Sequence, residues 1–320
     1  MSCLQHDDEH TLCEVCLAAM RDIGPRTHRR LLSAARSPDI SLRLLFEWSE
    51  RRLVSELGLE QAVARLIART ESPLVQGRKL RDELADEGAR IVCEEEPAYP
   101  ERLADGLGND APPLLFMAGE PDILSRRTVA VVGSRSPSRV GERMATQFAA
   151  RMANAGWTVV SGGARGIDTA GHYGALQHGA TAVVPPVGIF EFTWREPACR
   201  RVKSGDWCMI GQFPPGCGWK TEHALMRNHT IVALSEATLA VEPRDRGGTW
   251  RSSRATLRAG KPLFVMNGSD EPAKDRGAEA LCRSGARMVS CEAPPGPDEF
   301  AEIVERSAGP GSSRQKPLFG

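Results

Sequence analysis

Two glycine-containing turns in this chain each follow a short apolar strand and lead into a helical pattern. The first turn, Gly133-Ser134-Arg135, follows TVAVV, and the second, SGGARGID, spans residues 161–168 and follows TVVS. Paired turns at the carboxyl ends of neighbouring parallel strands place backbone N–H groups and helix N-termini on one crevice, and such a crevice attracts phosphate. The sequence therefore predicts an anion-binding α/β domain.

Several residues of the two turns suit contact with a phosphate. The Arg135 guanidinium can bind a phosphate bidentately, and Arg165 adds charge at the start of the next helix. The glycines leave the backbone donors unobstructed. We therefore predict phosphate contacts from residues in and beside both turns: Gly133, Ser134, Arg135, Ser161, Gly162, Gly163, Arg165 and Gly166.

Two further residues beside the second turn are predicted to support the site. Asp168 stands in the first turn of the following helix, where a carboxylate is stabilising, so we expect it to cap or brace the glycine turn. His172 lies one helical turn further on. Its ring either touches a base or packs in the interior, and packing is the favoured interpretation.

Strand and helix patterns alternate from Thr128 onward. This alternation predicts right-handed crossovers and a mostly parallel sheet that is covered on both faces, as in an extended Rossmann-like fold. The predicted strands are 128–132, 157–161, 180–184, 237–241, 262–266 and 286–290. The predicted helices lie near 138–155, 166–178, 221–235, 249–260, 275–284 and 297–306.

Residues 12–88 show apolar residues at helical spacing, so a helical N-terminal domain is expected over 1–88. Within it, Ile23-Gly24-Pro25 forms a turn that is followed by the basic run Arg26–Arg30. This resembles a helix-hairpin-helix (SAM-like) unit that meets a nucleic-acid backbone. The alternative is an ordinary helical hairpin with a solvated basic face. The α/β domain is expected over 89–307, followed by a flexible tail over 308–320.

The segment 185–220 interrupts the alternation. It combines tryptophans with a basic stretch, which is the composition needed for base stacking and phosphate contact. The alternative is a peripheral cluster in which the tryptophans pack on one another. The residues concerned are Trp194, Trp207, Trp219, Arg195, Arg200, Arg201 and Lys203.

Composition narrows the class of protein. The formal net charge is zero, with 41 acidic and 41 basic residues, which argues against coating nucleic acid by bulk charge alone. No apolar run approaches the roughly 18–20 residues that span a bilayer, and no secretory signal is readable, so a cytoplasmic protein with no membrane association is expected. The nine cysteines are scattered and include Cys13-x-x-Cys16, which we interpret as incidental thiols rather than half of a zinc site.

The GSR turn, SGGARGID and the later MRNHTIVALSEATLAVE resemble the DNA-processing protein A family (DprA/Smf) over about residues 17–307. The resemblance implies a single-stranded DNA-binding protein that assists loading of a RecA-type recombinase, as in natural transformation, and that acts as a homodimer without catalysis, cofactor or metal. It also implies that Arg227 contacts phosphate and that Asn228 binds a base edge or holds a loop. No winged-helix domain is expected after residue 307.

The chain departs from the family pattern around the expected binding face. Gly163 replaces a leucine, the segment VGIFEFTWREPACRRV lacks the family's residues, and GGTWRSSRAT replaces its serine-glycine-serine turn. EPRDRGGTWRSS also echoes nucleotide phosphoribohydrolases of the same superfamily, but Ser252 stands where those enzymes need a glutamate. The alternatives are therefore a nucleotide-ligand sensor, slightly favoured by the neutral net charge, and a phosphoribohydrolase.

The chain ends in Gln315-Lys-Pro-Leu318-Phe319. On a flexible tail this pattern resembles the short peptide by which bacterial replication proteins dock on the sliding clamp. The alternative is an incidental tail sequence.

Overall fold

The computed structural model describes residues 9–20, 22–194, 207–268, 272–290 and 294–308. A helical layer comes first in the chain and is followed by a mostly parallel sheet with helices on both faces. The helices are α1 (Glu9–Ala18), α2 (Pro25–Ala34), α3 (Leu42–Glu47), α4 (Glu50–Leu57), α5 (Gln61–Ala68), α6 (Pro73–Asp86), α7 (Glu101–Leu107), α8 (Arg139–Asn154), α9 (Ile167–Leu176), α10 (Thr221–Leu234), α11 (Gly248–Arg258), α12 (Pro272–Arg283) and α13 (Pro297–Ala308).

The N-terminal helices are short because local signals start and stop them. Ser41 and Ser49 cap α3 and α4 by accepting a hydrogen bond from a backbone N–H three residues further on. Gly58 ends α4 in the left-handed conformation that favours glycine. Apolar faces of these helices, with Leu31 and Leu53 fully buried, pack into their own hydrophobic core.

The sheet has nine strands in the described part of the chain, in the order β1-β2-β6-β5-β4-β3-β7-β8-β9. β1 and β2 are antiparallel, β2 pairs antiparallel with β6, and all other neighbours are parallel. The strands are β1 (Ala89–Cys93), β2 (Leu114–Gly119), β3 (Thr128–Gly133), β4 (Thr158–Ser161), β5 (Ala180–Val183), β6 (Trp207–Gly211), β7 (Ala237–Val241), β8 (Leu263–Met266) and β9 (Arg287–Met288).

The central strand β3 shows why the sequence carries near-continuous apolar strands. Ala130 and Val132 pack into the core on one face of the sheet, while Val129 and Val131 pack into the core on the other. Because both faces are covered by helices, every position of the strand is buried or half-buried. The expected α/β class with a mostly parallel sheet and a helical N-terminal region is confirmed.

The strand order reverses direction at β3. The chain runs from β3 outward through β4 and β5 on one side, and later returns to place β7 on the other side of β3. The ends of β3 and β7 therefore form a topological switch point, where the turns that follow two adjacent strands separate and leave a crevice.

The sequence prediction located the parallel strands from β3 onward within a few residues but gave no strand for β2 or β6. β2 lies in a proline-containing stretch before Thr128, and β6 lies within the segment 185–220, where the sequence pattern of alternating strands and helices is interrupted. β6 extends the parallel sheet beside β5, and β2 then pairs antiparallel with β6. Among the described helices, none combines the length and the apolar character that crossing a bilayer requires.

Candidate functional site

A cleft of about 550 Å³ opens at the switch point between β3 and β7. One wall is the turn after β3, the other is the loop after β7, and α10 forms a side. The lining residues are Val132, Gly133, Ser134, Arg135, Ser136, Ala164, Asp168, Trp219, Thr221, Ala224, Leu225, Arg227, Asn228, Glu242, Arg244, Arg246, Gly247, Gly248, Thr249, Arg251 and Ser252. The crevice was expected between the turns after β3 and β4. The observed cleft instead lies between β3 and β7, on the other side of β3.

The GSR turn lines this cleft. Gly133 lies so close to β7 and α9 that a β-carbon there would be 2.5 Å from the Val241 carbonyl oxygen and 2.6 Å from Ile167. Only glycine allows this approach. Ser134 and Arg135 follow directly and line the cleft, with the Arg135 side chain exposed.

The wall opposite is the loop that precedes α11. Gly247 caps the helix with backbone only, at φ 95°, and the first turn of α11 contains no acidic residue. The Thr249 hydroxyl donates a hydrogen bond of 2.8 Å to the Gly133 carbonyl oxygen, which ties the two walls together. The N-terminus of α11 therefore presents its free backbone N–H groups and positive dipole end to the cleft.

The helix N-termini that were expected to attract phosphate are already neutralised by the protein. At the start of α8, the Glu242 carboxylate accepts hydrogen bonds from the Ser138 backbone N–H at 2.9 Å and from the Ser138 hydroxyl. At the start of α9, the Asp168 carboxylate accepts one from the Ala164 N–H at 3.3 Å. Asp168 thus braces the glycine turn.

The turn after β4 is closed, contrary to expectation. The Ser161 side chain is fully buried and donates to the Val131 carbonyl oxygen at 2.6 Å. A β-carbon on Gly162 would lie 1.4 Å from Nη1 of Arg227. The glycine there accommodates an arginine of the protein, and the open space expected for a phosphate is filled by that guanidinium.

Arg227 forms a buried ion pair with Asp168, with 3.5 Å between Nη1 and Oδ2. Arg227 is 4% exposed and Asp168 is 6% exposed. Burial raises the pKa of the Asp168 carboxyl, and the Arg227 charge opposes that rise. Burial likewise lowers the pKa of Arg227, although an arginine starts high enough to remain charged. The predicted phosphate ligand Arg227 thus lies in the floor of the cleft as an internal counterion.

Gly163, Arg165 and Gly166 lie outside the lining of the cleft, whereas Asn228 lies in it. Arg165 is exposed and its guanidinium donates to the Ser136 hydroxyl at 3.4 Å. Asn228 is 8% exposed and faces α11. The structure therefore brings together the GSR turn, Arg227 and Asn228, and leaves most of the second turn outside.

The favoured interpretation of His172 agrees with its position in the interior. Its ring is fully buried, lies 2.7 Å from the Thr181 hydroxyl through Nδ1, and packs edge-to-face on Trp194. Burial lowers the pKa of His172 to about 3, with the charge of Arg227 as a further cause. His172 is therefore neutral at physiological pH.

Different tryptophans of the segment 185–220 fit the two interpretations, packing in a cluster or facing a ligand. Trp194 packs edge-to-face with Phe192 and Trp207, so these aromatic side chains form a cluster beside β6. Trp219 is different: it is 57% exposed and lines the cleft. The basic residues predicted within 195–203 lie outside the described residues.

Two departures from the expected family pattern lie against each other in the structure. Gly163 adopts φ 68°, and a β-carbon there would lie 2.7 Å from Cε2 of Phe192. Phe192 belongs to the divergent segment VGIFEF, so its ring occupies the space that a larger residue at position 163 would need.

Arginines on the loop after β7 and in the first turn of α11 are the functional candidates that sequence reasoning missed. All three are exposed and line the cleft: Arg244, Arg246 and Arg251. Arg135, Arg246 and Arg251 form no ion pair within the described part of the chain. The signal was present as EPRDRGGTWRSS at the end of an apolar strand, but the sequence did not show that this strand pairs with β3.

The basic run after the N-terminal turn does not form the free nucleic-acid surface that was one of the two expectations. Arg26 pairs with Asp110 at 2.6 Å, and Arg29 holds Glu94 in a bidentate ion pair. Arg30 donates to two backbone carbonyls after α4. These arginines join the helical layer to its own turns and to the segment between β1 and β2.

The two cysteines of the CxxC pattern lie in the N-terminal core. Burial raises the pKa of Cys13 to about 12 and that of Cys16 to about 11. Within the described ranges, no group of three or more histidine, cysteine or acidic residues is arranged to hold a metal ion. The tail residues Gln315, Leu318 and Phe319 lie outside those ranges.

Known proteins share this architecture and parts of this sequence. The DNA processing protein DprA of Streptococcus pneumoniae is 31% identical over 197 residues, covering 61% of this chain and 68% of the relative. Protein Smf of Escherichia coli is 32% identical over 211 residues, covering 65% of this chain and 54% of the relative. These curated relatives are therefore matched over about half to two thirds of their own length.

Solved structures show the same fold. The X-ray structure of Streptococcus pneumoniae DprA superposes with a TM-score of 0.60 at 22% identity, over 88% of this chain and 98% of that one. A Helicobacter pylori DNA processing protein A structure gives 0.56 at 22% identity, over 68% and 96%. The family model of DNA recombination-mediator protein A matches residues 90–294, which include the whole cleft. The chain belongs to this family, that of the DprA/Smf proteins.

Proposed function

We propose that this protein binds single-stranded DNA in the cleft between β3 and β7 as a step in DNA processing. The observation that carries the proposal is the charge of the cleft: five arginines and two carboxylates line it, a formal excess of three positive charges in a chain whose net charge is zero. Both carboxylates are held by partners within the protein. The remaining cations suit phosphate.

The exposed ring of Trp219 supports a single strand rather than a duplex. Unpaired bases stack on aromatic side chains, and this contact tolerates any base because every base has a π-face. An aromatic platform beside arginines is the usual composition of a surface that binds single strands without sequence preference. Binding is therefore expected to be salt-sensitive and largely independent of sequence.

The relatives support the same assignment. The solved Helicobacter pylori protein has a single-stranded DNA binding mode, and the matching family is that of DNA recombination-mediator protein A. On this basis we extend the proposal: the protein acts as a homodimer in the cytoplasm and passes the bound strand to a RecA-type recombinase, as in natural transformation. A pull-down of a RecA-type protein with and without oligonucleotide tests that extension.

The cleft favours binding over catalysis. Phosphoribohydrolase chemistry needs a carboxylate where Ser252 stands, and Ser252 is buried at 1% exposure. The two carboxylates in the lining, Asp168 and Glu242, are committed to Arg227 and to Ser138. Neither is arranged as a free acid or base toward a ligand.

The test is fluorescence anisotropy with a labelled oligothymidylate at two salt concentrations. Arg251→Ala is expected to weaken binding and to reduce the slope of log affinity against log salt by about 0.7 for each lost phosphate contact. Arg258→Ala is the matched control, since it removes the same charge from the far end of α11, outside the cleft. Equal losses in both variants, or no binding by the wild type, would overturn the proposal.

A further inference from the structure

We propose that the cleft contains a subsite for the phosphomonoester of a nucleotide, located where Gly247-Gly248-Thr249 begins α11 between Arg246 and Arg251. This inference rests on the proposed function, because the nucleotide is taken as the end of a bound single strand. A free nucleoside monophosphate presents the same chemical group, and the experiment below separates the sources.

The first observation is the difference between the N-termini of the three helices that follow β3, β4 and β7. α8 and α9 begin beside Glu242 and Asp168, whose carboxylates already accept hydrogen bonds there. α11, with 11 residues, has no acidic residue in its first turn and no side-chain cap. It is therefore the N-terminus among these three that still has donors and positive dipole charge to offer an anion.

The second observation is independent of the helix and concerns buried polar groups without partners. The Asn228 side chain lines the cleft at 8% exposure and makes no hydrogen bond to any described residue. Its Nδ2 lies 3.6 Å from where a β-carbon on Gly248 would stand. The Nε of Arg227 is likewise buried without an acceptor among the described residues. Buried donors usually have partners, so these two indicate a ligand.

The charge beside the start of α11 suits a monoester. Arg246 and Arg251 bring two positive charges to this one point of the cleft, whereas an internal phosphodiester carries a single negative charge. A terminal phosphate carries about −1.5 to −2 at neutral pH and offers three acceptor oxygens. Arg246 and Arg251 flank the helix N-terminus and are both exposed, so they can close on such a group bidentately.

The dimensions also fit a nucleotide. The cleft volume of about 550 Å³ falls within the usual range for small-ligand pockets, roughly 300–1,000 Å³. With a phosphate at the start of α11, the exposed Trp219 ring in the same lining is available to stack on the adjoining base. The tie between Thr249 and Gly133 fixes the position of the phosphate subsite relative to the turn that carries Arg135.

The experiment compares three internally labelled oligothymidylates that differ only at their ends: a 5′-phosphate, a 3′-phosphate, or two hydroxyl ends. Thymidine 5′-monophosphate is measured separately by calorimetry and as a competitor. We expect one phosphorylated end to bind about tenfold more tightly than the hydroxyl-ended strand, the equivalent of one added charged hydrogen bond. Arg251→Ala is expected to remove that preference, while Arg258→Ala retains it.

Each outcome decides between the two proposals. A preference lost in Arg251→Ala supports the subsite and identifies the end it accepts, and competition by the monophosphate shows that a free nucleotide also enters. Equal affinity for the three strands, or a preference that survives Arg251→Ala, overturns the subsite while strand binding stands. Binding of the monophosphate without any strand supports the subsite and overturns the proposed function. Binding of neither ligand overturns both.

Discussion

The guanidinium of Arg227 lies 3.5 Å from the carboxylate of Asp168 and directly against the backbone of Gly162. This contact links α10 to the turn after β4 and closes that turn to ligands. The open cleft lies on the other side of β3, between β3 and β7. Gly162 of the second turn makes room for an internal ion pair. The backbone N–H groups that remain open to a ligand lie where the loop after β7 leads into α11.

The first prediction tests that contact. Gly162→Ala would place a methyl group 1.4 Å from the present position of Arg227 Nη1, so the buried pair must break or shift. We expect the free energy of unfolding to fall by about 3 kcal/mol, because separating a buried pair leaves an uncompensated charge. Urea denaturation measures this. Gly24→Ala is the control, since a β-carbon at Gly24 meets nothing within 4 Å. Similar stabilities for the two variants would show that Arg227 is not constrained there.

The second prediction concerns base stacking. Trp219→Ala is expected to weaken binding of an oligothymidylate by about 1–3 kcal/mol, or roughly 5- to 150-fold, because one stacking platform is lost. Trp219→Phe should retain most of the affinity. Phe190→Ala is the matched control: Phe190 is 38% exposed and lies outside the cleft lining. If Phe190→Ala and Trp219→Ala are indistinguishable in anisotropy titrations, Trp219 does not stack on the strand.

The third prediction concerns the two departures from the family pattern at Gly163 and Phe192. Gly163→Leu is expected to destabilise the protein, since the new side chain meets the Phe192 ring and the backbone at φ 68° disfavours leucine. Adding Phe192→Ala should recover part of the loss, with a coupling energy of about 1 kcal/mol or more in a double-mutant cycle measured by denaturation. Strict additivity of the two changes would show that the residues do not share the space.

The fourth prediction is a loss of stability in acid. The pKa of His172 is about 3 in the folded protein and about 6.5 in an unfolded chain, so the unfolded state takes up a proton first as the pH falls. The contribution of the neutral His172 ring to stability is fully present above pH 6.5 and declines from there toward pH 3. Between pH 7 and pH 5 this one group lowers the free energy of unfolding by about 2 kcal/mol.

The check for His172 is urea denaturation at both pH values. His172→Asn should lose about 2 kcal/mol less than the wild type over that interval. His178→Asn makes the same substitution on the exposed residue that follows α9 and is the matched surface control. An unchanged pH dependence in His172→Asn would mean that another group dominates.

The order of strands and helices along the chain was predictable because it depends on local signals. Val129–Val132 forms an apolar run because both faces of β3 are covered, and Ser138 marks the start of α8 as its N-cap. These features can be recognised in the local sequence without knowing which strands and helices pack together. The Gly133-Ser134-Arg135 turn was located for the same reason, since it follows directly from a strand end.

The wall of the cleft that faces the Gly133–Arg135 turn was not predictable. Its identity depends on which strand pairs with β3 on the side opposite β4. β7 follows β3 by more than a hundred residues, and only the tertiary pairing brings Thr249 to Gly133. The same long-range placement brings Arg227 to Asp168, a partner that its position in the sequence does not reveal. Arg26 and Arg29 likewise look free in the sequence, since their partners Asp110 and Glu94 lie beyond the helical layer.

The most direct test of the displaced cleft compares two exposed arginines on opposite sides of β3. Arg251 stands on the β7 side within the cleft, and Arg165 stands on the β4 side outside its lining. Anisotropy titrations of an oligothymidylate at two salt concentrations should show weaker binding and a shallower salt dependence for Arg251→Ala, with Arg165→Ala close to the wild type. If Arg165→Ala weakens binding and Arg251→Ala binds as the wild type does, the DNA lies on the turn after β4. That result would contradict binding in the cleft between β3 and β7.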